Sequence, residues 1–278
     1  MSERRSQDGR VRLVADETRL DALAGLGLLD DVPIERVRGA TPAEFGGSGR
    51  GGAVRLALGD ATVVVKTLRR GGLPGRLLGA GLGAWFFGAR RVLDAVALAQ
   101  RLLERGASTA RPAFARIRRG ALPGFRRLEL ATDEVAGARD AAAFFSSAQP
   151  PAARRAALRA CGAAVHALHE AGVRHADLNL GNLLVADGRA FVIDLERSTT
   201  PAPLTPDDRV ANLARLLRSA EKLDMLGTAL SRSDLLRFLH AYEGGARREL
   251  FAAVARRRRA GVWHRLGWRF SGGGRGRA

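Results

Sequence analysis

The segment from His175 to Asp194 restricts the fold of this chain more than any other part of its 278 residues. Two apolar β-segments flank a loop that carries Asp177 and Asn182, and the second segment ends at Asp194. Antiparallel pairing of such segments would bring Asn182 and Asp194 together. Oxygen-bearing side chains that converge at a strand end suit a hard divalent cation such as Mg²⁺, and Asp177 would remain to accept a proton.

A simpler interpretation is a polar loop between core strands, with an aspartate in a turn or at a helix N-terminus. A single aspartate would favour that interpretation. The ordered series of one histidine, two aspartates and one asparagine between apolar segments instead favours a catalytic loop with a metal site.

The upstream part of the chain contains a second set of residues suited to binding phosphate. Lys66 ends an apolar run, and only one other lysine occurs among the 46 Lys and Arg residues. The glycine cluster GGSGRGG precedes it, and we expect Gly47, Gly49 and Gly51 to present backbone N–H groups to a nucleotide. Each signal alone is typical of a turn or a strand edge. Their order relative to the catalytic loop connects them to one site.

Hydrophobic periodicity predicts an α+β chain with two lobes, a β-rich N-lobe over residues 1–131 and a mainly helical C-lobe over residues 132–278. The predicted N-lobe elements are a hairpin of strands 53–58 and 61–68, a helix over 90–105, and strands over 113–118 and 124–130. The predicted C-lobe helices span 152–171, 209–219, 233–241 and 250–259.

Several segments resemble one family of enzymes. The spacing H-x-D-L-x-x-x-N, followed by an apolar strand that ends in Asp, is the one that protein-kinase-like enzymes use. The stretches HADLNLGNLLV, FVIDLERS, NLARLLRS and KTLRRGGLPGRLL resemble the lipopolysaccharide kinase family, and in particular its bacterial 3-deoxy-D-manno-octulosonic acid (Kdo) kinases. The resemblance covers about residues 50–220.

The resemblance implies a bilobal protein-kinase-like fold and a role for each residue that matches the motif. Asp177 would be the catalytic base that accepts the proton of a sugar hydroxyl, and His175 would brace the catalytic loop. Asn182 and Asp194 would hold Mg²⁺ on the phosphates of ATP, and Lys66 would bind the α- and β-phosphates.

The chain departs from the kinase pattern at two places. Kinase-like folds pair the lysine with a glutamate of the N-lobe helix, whereas this helix offers Asp94 and, further along, Glu104, so the partner of Lys66 stays unassigned. Only 17 residues separate Asp194 from Asn212, which leaves no room for a long activation segment and disfavours a protein substrate.

The sequence therefore predicts an ATP- and Mg²⁺-dependent kinase that phosphorylates a sugar of the lipopolysaccharide inner core, either Kdo or a heptose. One alternative is a soluble small-molecule kinase of the aminoglycoside or choline type. Those enzymes carry a second acidic residue or a histidine in the catalytic loop, where this chain has Asn179. A second alternative is a non-catalytic kinase-like module that binds nucleotide, and the retained lysine, aspartates and asparagine disfavour it.

The charge distribution indicates where the protein acts. The net charge is +18, and residues 247–278 hold ten arginines and one glutamate, a net charge of +9, together with Trp263, Trp268 and Phe270. Basic residues with interfacial aromatics favour peripheral contact with the anionic inner membrane, which would present a lipid-linked acceptor. The other interpretation is a solvated basic tail. No nucleic acid is expected as a partner, since no reading module is recognised.

Two further observations predict a cytoplasmic protein. Cys161 is the single cysteine, which suits a reducing compartment, and the polar first residues lack the apolar stretch of an export signal. His166 and His169 have the spacing of a helical metal pair, but no third ligand is evident, and we expect both to serve packing.

Overall fold

The computed structural model describes residues 1–43, 53–68, 85–86, 89–120, 124–200, 203–243, 249–250 and 252–257. These residues belong to two compact units, 1–137 and 138–278. The predicted nucleotide-binding residues Gly47, Gly49 and Gly51 lie outside the described residues, as does most of the basic C-terminal segment.

The first unit is built on one antiparallel sheet of eight strands, in the order β1-β2-β7-β8-β5-β4-β3 with β6 paired to β8. The strands are β1 (Ser2–Arg5), β2 (Val11–Ala15), β3 (Ala40–Ala43), β4 (Ala53–Leu58), β5 (Ala61–Leu68), β6 (Trp85–Phe86), β7 (Pro112–Arg119) and β8 (Phe125–Asp133). The unit also contains the helices α1 (Glu17–Gly25) and α2 (Ala89–Glu104) and a short 3₁₀ turn at Ile34–Arg36. The predicted hairpin, helix and two further strands are all present.

Alternation along β5 determines which face of the sheet carries the lysine. Val63 and Val65 are fully buried in one core. Leu68 belongs to a second core that contains residues of α2. Because side chains two residues apart share a face, Lys66 lies on the same face as Leu68, and its side chain is exposed.

The first 40 residues extend the sheet and cover one face. Strands β1 and β2 pair and add to β7. Asp16 caps the N-terminus of α1, because its carboxylate accepts from the backbone N–H of Thr18. The helix buries Leu20 and Leu23. The N-terminal segment is therefore part of this unit's core.

A buried arginine fastens the segment that follows α1 to the sheet. Arg116 of β7 is fully buried, and its Nη1 donates to Glu129 Oε2 of β8 at 2.7 Å. Its Nε donates to the carbonyl of Leu28 at 2.7 Å, and its Nη2 donates to the carbonyl of Val32 at 3.0 Å. The Arg116 side chain thus hydrogen-bonds a buried carboxylate and also loop carbonyls that take no part in strand pairing.

We expect Arg116→Ala to lower the free energy of unfolding by about 3 kcal/mol, because it removes the 2.7 Å hydrogen bond to the buried Glu129 carboxylate, which keeps only the 3.5 Å contact with Arg118, and it removes the donor to the carbonyls of Leu28 and Val32. Urea unfolding measures the change. Arg119→Ala is the matched control, since Arg119 ends the same strand but is exposed, and its cost should stay within about 0.5 kcal/mol. Equal costs for the two variants would show that Arg116 does not fasten the loop.

The second unit is mainly helical. Its elements are β9 (Arg139–Asp140), α3 (Ala141–Ser146), α4 (Pro151–Glu170), β10 (Leu183–Ala186), β11 (Arg189–Val192), α5 (Pro206–Lys222) and α6 (Arg232–Glu243), with 3₁₀ turns at Leu180–Asn182 and Leu195–Arg197. Residues 252–257 are also helical. Helices α4 and α6 approach closely at Gly162, where a Cβ atom would lie 2.3 Å from the carbonyl oxygen of Phe238.

The predicted order of the polar loop and the two strands is wrong in one respect. The loop with Asp177 precedes both strands and does not separate them. Strands β10 and β11 pair directly, from Leu183 opposite Val192 to Ala186 opposite Arg189. The turn between them lies at Asp187 and Gly188, which both have positive φ and close a tight two-residue hairpin. Before the loop, Arg174 makes only an isolated bridge, to Thr199.

Candidate active site

His175 connects the catalytic loop to the end of β11. The ring is 1% exposed. Its Nδ1 accepts from the backbone N–H of Asp177 at 3.0 Å, and its Nε2 lies 2.9 Å from the carbonyl oxygen of Ile193. Because Nδ1 accepts, Nε2 must carry the proton and donate. Burial lowers the pKa of His175, which favours this neutral ring.

Asn212 of α5 holds the backbone of His175 from the other side. Its Oδ1 accepts from the N–H of His175 at 2.9 Å, and its Nδ2 donates to the carbonyl of His175 at 3.0 Å. The side-chain amide therefore binds both backbone groups of one residue, as a neighbouring strand would. Both residues are buried, so these bonds lie where water does not compete for them.

Two asparagines shape the loop between Asp177 and β10. The carbonyl oxygen of Asp177 accepts from Asn179 Nδ2 at 3.0 Å and from Asn182 Nδ2 at 2.8 Å. Asn179 Oδ1 also accepts from the backbone N–H of Asn182 at 3.2 Å. Since the nitrogen of the Asn182 amide is engaged, its Oδ1 is the atom that remains to bind a cation. The backbone N–H of Ile193 donates to the Asn182 carbonyl at 3.0 Å.

Asp194 follows this pairing in a left-handed conformation, with φ 68° and ψ 48°. Among the described non-glycine residues, only Asp187 and Asp224 also have positive φ. Such a conformation costs roughly 1–3 kcal/mol and tends to occur at functional sites. Here it turns the chain sharply after β11, directly after the carbonyl that His175 binds.

Asp177 presents its carboxylate to solvent next to a cation. Its side chain is 59% exposed, and Arg215 Nη1 of α5 lies 3.6 Å from its Oδ1. This distance is an ion pair and not a hydrogen bond. Sequence reasoning missed Arg215, although it lies within the stretch NLARLLRS that carries the family resemblance. The sequence offered one signal, which is that Arg215 lies three residues after Asn212 on a predicted helix. That spacing does not show which residue the arginine contacts.

In the second unit, the structure brings the predicted site residues together. The predicted lysine lies in the first unit. Hydrogen bonds join His175, Asp177, Asn182 and the residue before Asp194 into one cluster. Lys66 belongs to the first unit, on β5, paired with Ala53 and Leu130 in the sheet. Both carboxylates considered as its partner, Asp94 and Glu104, occupy exposed positions of α2.

The oxygen donors of the cluster fit Mg²⁺. This ion is usually bound by one or two protein oxygens together with substrate phosphates, and not by a complete protein cage. Asn182 and Asp194 would supply one amide oxygen and one carboxylate. Within the described residues, no group of three or more His, Cys, Asp or Glu side chains could hold a metal, so a closed metal cage is absent from that part of the chain. His169 hydrogen-bonds Asn212 and Tyr242.

In the first unit, a strand of a large antiparallel sheet carries Lys66. In the helical unit, an H-x-D loop precedes a strand that is followed by Asp194. These features are typical of a protein-kinase-like phosphotransferase. The solved structure described as "WaaP in complex with acyl carrier protein" is similar, with 25% sequence identity and a TM-score of 0.57 over 90% of this chain and 98% of that one. The α+β, kinase-like fold class is thereby confirmed.

Sequence comparisons identify the family. The model of the lipopolysaccharide kinase (Kdo/WaaP) family matches residues 40–242, and the chain belongs to that family. The 3-deoxy-D-manno-octulosonic acid kinase of Vibrio cholerae is 29% identical over 63% of this chain and 72% of the relative. The lipopolysaccharide core heptose(I) kinase WaaP of Pseudomonas aeruginosa is 33% identical over 56% of this chain and 59% of the relative.

Proposed function

We propose that this protein transfers the γ-phosphoryl group of ATP to a hydroxyl of a lipopolysaccharide inner-core sugar, either Kdo or a heptose. The relatives named above act on these two sugar classes. The observation that carries the proposal is the cluster in which His175 holds the Asp177 backbone beside the end of β11. The solvent-facing carboxylate of Asp177 and the hydrogen bond from Asn182 to the Asp177 carbonyl support the proposal.

In the proposed reaction, Asp177 accepts the proton of the acceptor hydroxyl as that oxygen forms a bond to the γ-phosphorus. The bond between the γ-phosphorus and the bridging oxygen of ATP breaks, and ADP leaves with the electron pair. Most of the rate gain in such a transfer comes from positioning and charge stabilisation, because the protein forms no covalent bond. A rigid catalytic loop therefore matters more here than a shifted pKa.

Asn182 and Asp194 are the proposed metal ligands, and Lys66 is the proposed ligand of the α- and β-phosphates. Mg²⁺, when bound, would neutralise charge on the phosphates. The glycine-rich segment with Gly47, Gly49 and Gly51 is proposed to contact the nucleotide through backbone N–H groups. The left-handed conformation of Asp194, which turns the chain sharply at the end of β11, supports the assignment of Asp194 as a metal ligand.

Arg215 is proposed to stabilise negative charge on the phosphoryl group during transfer. It lies 3.6 Å from the proposed base, where the acceptor oxygen must also come. A fixed cation at the point where charge develops lowers the barrier, and arginine suits phosphate because its planar donors match the oxygens. The pair with Asp177 would keep the guanidinium in place before substrate arrives.

A soluble kinase of the aminoglycoside or choline type agrees less well with the loop. Asn179 occupies the position where such enzymes place an acidic residue or histidine, and here its side chain binds the backbone of Asp177 and Asn182. A non-catalytic module is disfavoured because the cluster keeps the base and both candidate metal ligands in an ordered arrangement.

We expect Asp177→Asn to reduce phosphoryl transfer by about a thousandfold, because the amide cannot accept the proton, while binding of ATP with Mg²⁺ is retained. Asp194→Asn should weaken binding of the Mg²⁺–ATP complex at least about tenfold. Transfer of labelled γ-phosphate to Kdo–lipid A, heptosylated core and free sugars in parallel measures turnover, and calorimetry measures nucleotide binding.

Asp187→Asn is the matched control for both variants, since this aspartate lies in the turn between β10 and β11 and asparagine tolerates its positive φ. Full activity of the Asp177 variant would refute the proposed mechanism. Transfer to none of the acceptors by the wild-type protein would refute the proposed function.

For Arg215→Gln we expect kcat to fall about tenfold with little change in stability, because the half-exposed pair with Asp177 contributes little to folding. Arg232→Gln provides the comparison, as an exposed arginine at the start of α6. If both variants retain wild-type kcat, Arg215 has no part in the transfer.

We also propose that the protein acts in the cytoplasm and contacts the anionic inner membrane through its basic C-terminal segment. The net charge of +9 over residues 247–278 and the aromatic residues within it support this contact. No described helix is both long and apolar enough to span a bilayer. Attraction to anionic lipid contributes about 1 kcal/mol per basic residue near the surface, so several arginines would suffice for reversible binding.

The full chain should sediment with vesicles that contain anionic lipid, and salt should release it. Replacing four tail arginines (265, 269, 275 and 277) with glutamine should remove most of this binding. The control replaces four exposed arginines of the first unit (36, 38, 101 and 119), which changes the net charge equally. Equal loss in both variants would attribute binding to net charge alone and refute the role of the tail.

A further inference from the structure

A chain of buried polar side chains leads away from the catalytic loop through three helices. Asn212 of α5, which holds His175, lies with its Oδ1 3.2 Å from Nε2 of His169 on α4. The other ring nitrogen of His169, Nδ1, lies 2.7 Å from the hydroxyl of Tyr242 on α6. His169, Asn212 and Tyr242 are each less than 5% exposed.

The groups at the two ends of this series of hydrogen bonds determine which atom donates in each bond. The backbone N–H and C=O of His175 fix the amide of Asn212, because its Oδ1 must face the N–H and its Nδ2 must face the carbonyl. Oδ1 can only accept, so Nε2 of His169 must carry a proton. Burial lowers the pKa of His169 to about 4, and the neutral ring therefore keeps an unprotonated Nδ1 at neutral pH.

Tyr242 completes the series from the other end. Burial raises the pKa of its phenol to about 12, so the hydroxyl keeps its proton. Because Nδ1 of the neutral His169 ring carries no proton, it can only accept, and the Tyr242 hydroxyl donates its proton to it. Only one tautomer of His169 satisfies both neighbours.

Packing alone does not account for these three polar residues. Burying a hydroxyl, an imidazole and an amide costs free energy that apolar side chains of similar size would not. A fully satisfied polar network selects one arrangement of its members, whereas an apolar contact permits several. This network ends on the backbone of His175, whose ring binds the backbone of Asp177 and of Ile193.

We propose that His169 and Tyr242 are positioning residues for the catalytic loop, acting through Asn212. Tyr242 donates to His169, His169 donates to the Oδ1 of Asn212, and the Asn212 amide binds the backbone of His175, so each bond supports the next. The position of the Asp177 carboxylate thus depends on helices α4 and α6. The proposal rests on the proposed kinase function for its kinetic consequences, but its structural content is independent of substrate.

The first test compares two histidines of one helix. His166 and His169 both pack edge-on against Tyr242, with ring centroids 5.6 Å away in each case. His166 Nδ1 has no hydrogen-bond partner among the described residues, whereas His169 binds Asn212. His169→Leu should lower kcat about tenfold with KM for ATP unchanged, and His166→Leu should leave kcat within about twofold of wild type.

Two further variants separate positioning from folding. His169→Gln keeps an N–H donor that can reach Asn212 and should recover most of kcat. Tyr242→Phe keeps the ring but removes the donor to Nδ1, so kcat should fall although the core stays filled. Urea unfolding of all four variants shows whether a loss of kcat follows a loss of stability.

The tautomer of His169 gives a readout that does not need activity. Nitrogen-15 NMR of the ring should show a protonated Nε2 and an unprotonated Nδ1 in the wild type. A protonated Nδ1 in the wild type would overturn the proposal, as would equal kcat losses in His166→Leu and His169→Leu. Absence of any kinase activity would refute the proposed function instead, and the NMR result would still decide the network.

Discussion

The neutral ring of His175 is the contact on which the rest of the site depends. One nitrogen accepts from the N–H of Asp177 and the other donates to the carbonyl of Ile193, so a single side chain binds the backbone of two separate segments. Only the tautomer with the proton on Nε2 can do both, and burial favours the neutral form. A protonated ring would lose the bond to the catalytic loop, and an apolar ring would lose both bonds.

The helical unit is arranged to keep this ring buried and its backbone bound. Asn212 replaces a neighbouring strand by binding both backbone groups of His175, and it is itself bound by His169. Buried polar groups of this kind cost free energy unless every donor and acceptor is matched. The network therefore gives the catalytic loop one conformation, which is what a phosphoryl transfer that relies on positioning requires.

Local patterns predicted most elements and the proposed site residues, whereas contacts between distant segments were not predictable. Alternation gave the β4–β5 hairpin, and helical periodicity gave α2, α4, α5 and α6. Arg116 reads as one more basic residue of an arginine-rich strand, and its role depends on carbonyls more than 80 residues earlier in the chain. The roles of Arg215 and His169 depend on helix packing in the same way. The prediction of a strand before the Asp177 loop is wrong, since Arg174 makes only an isolated bridge, to Thr199.

A crystal structure of the protein with Mg²⁺ and a non-hydrolysable ATP analogue tests the central claim most directly. We expect the metal to bind Oδ1 of Asn182 and the carboxylate of Asp194, Lys66 to contact the α- and β-phosphates, and the Asp177 carboxylate to face the γ-phosphate. A nucleotide bound elsewhere, or a metal that contacts neither Asn182 nor Asp194, would contradict the account.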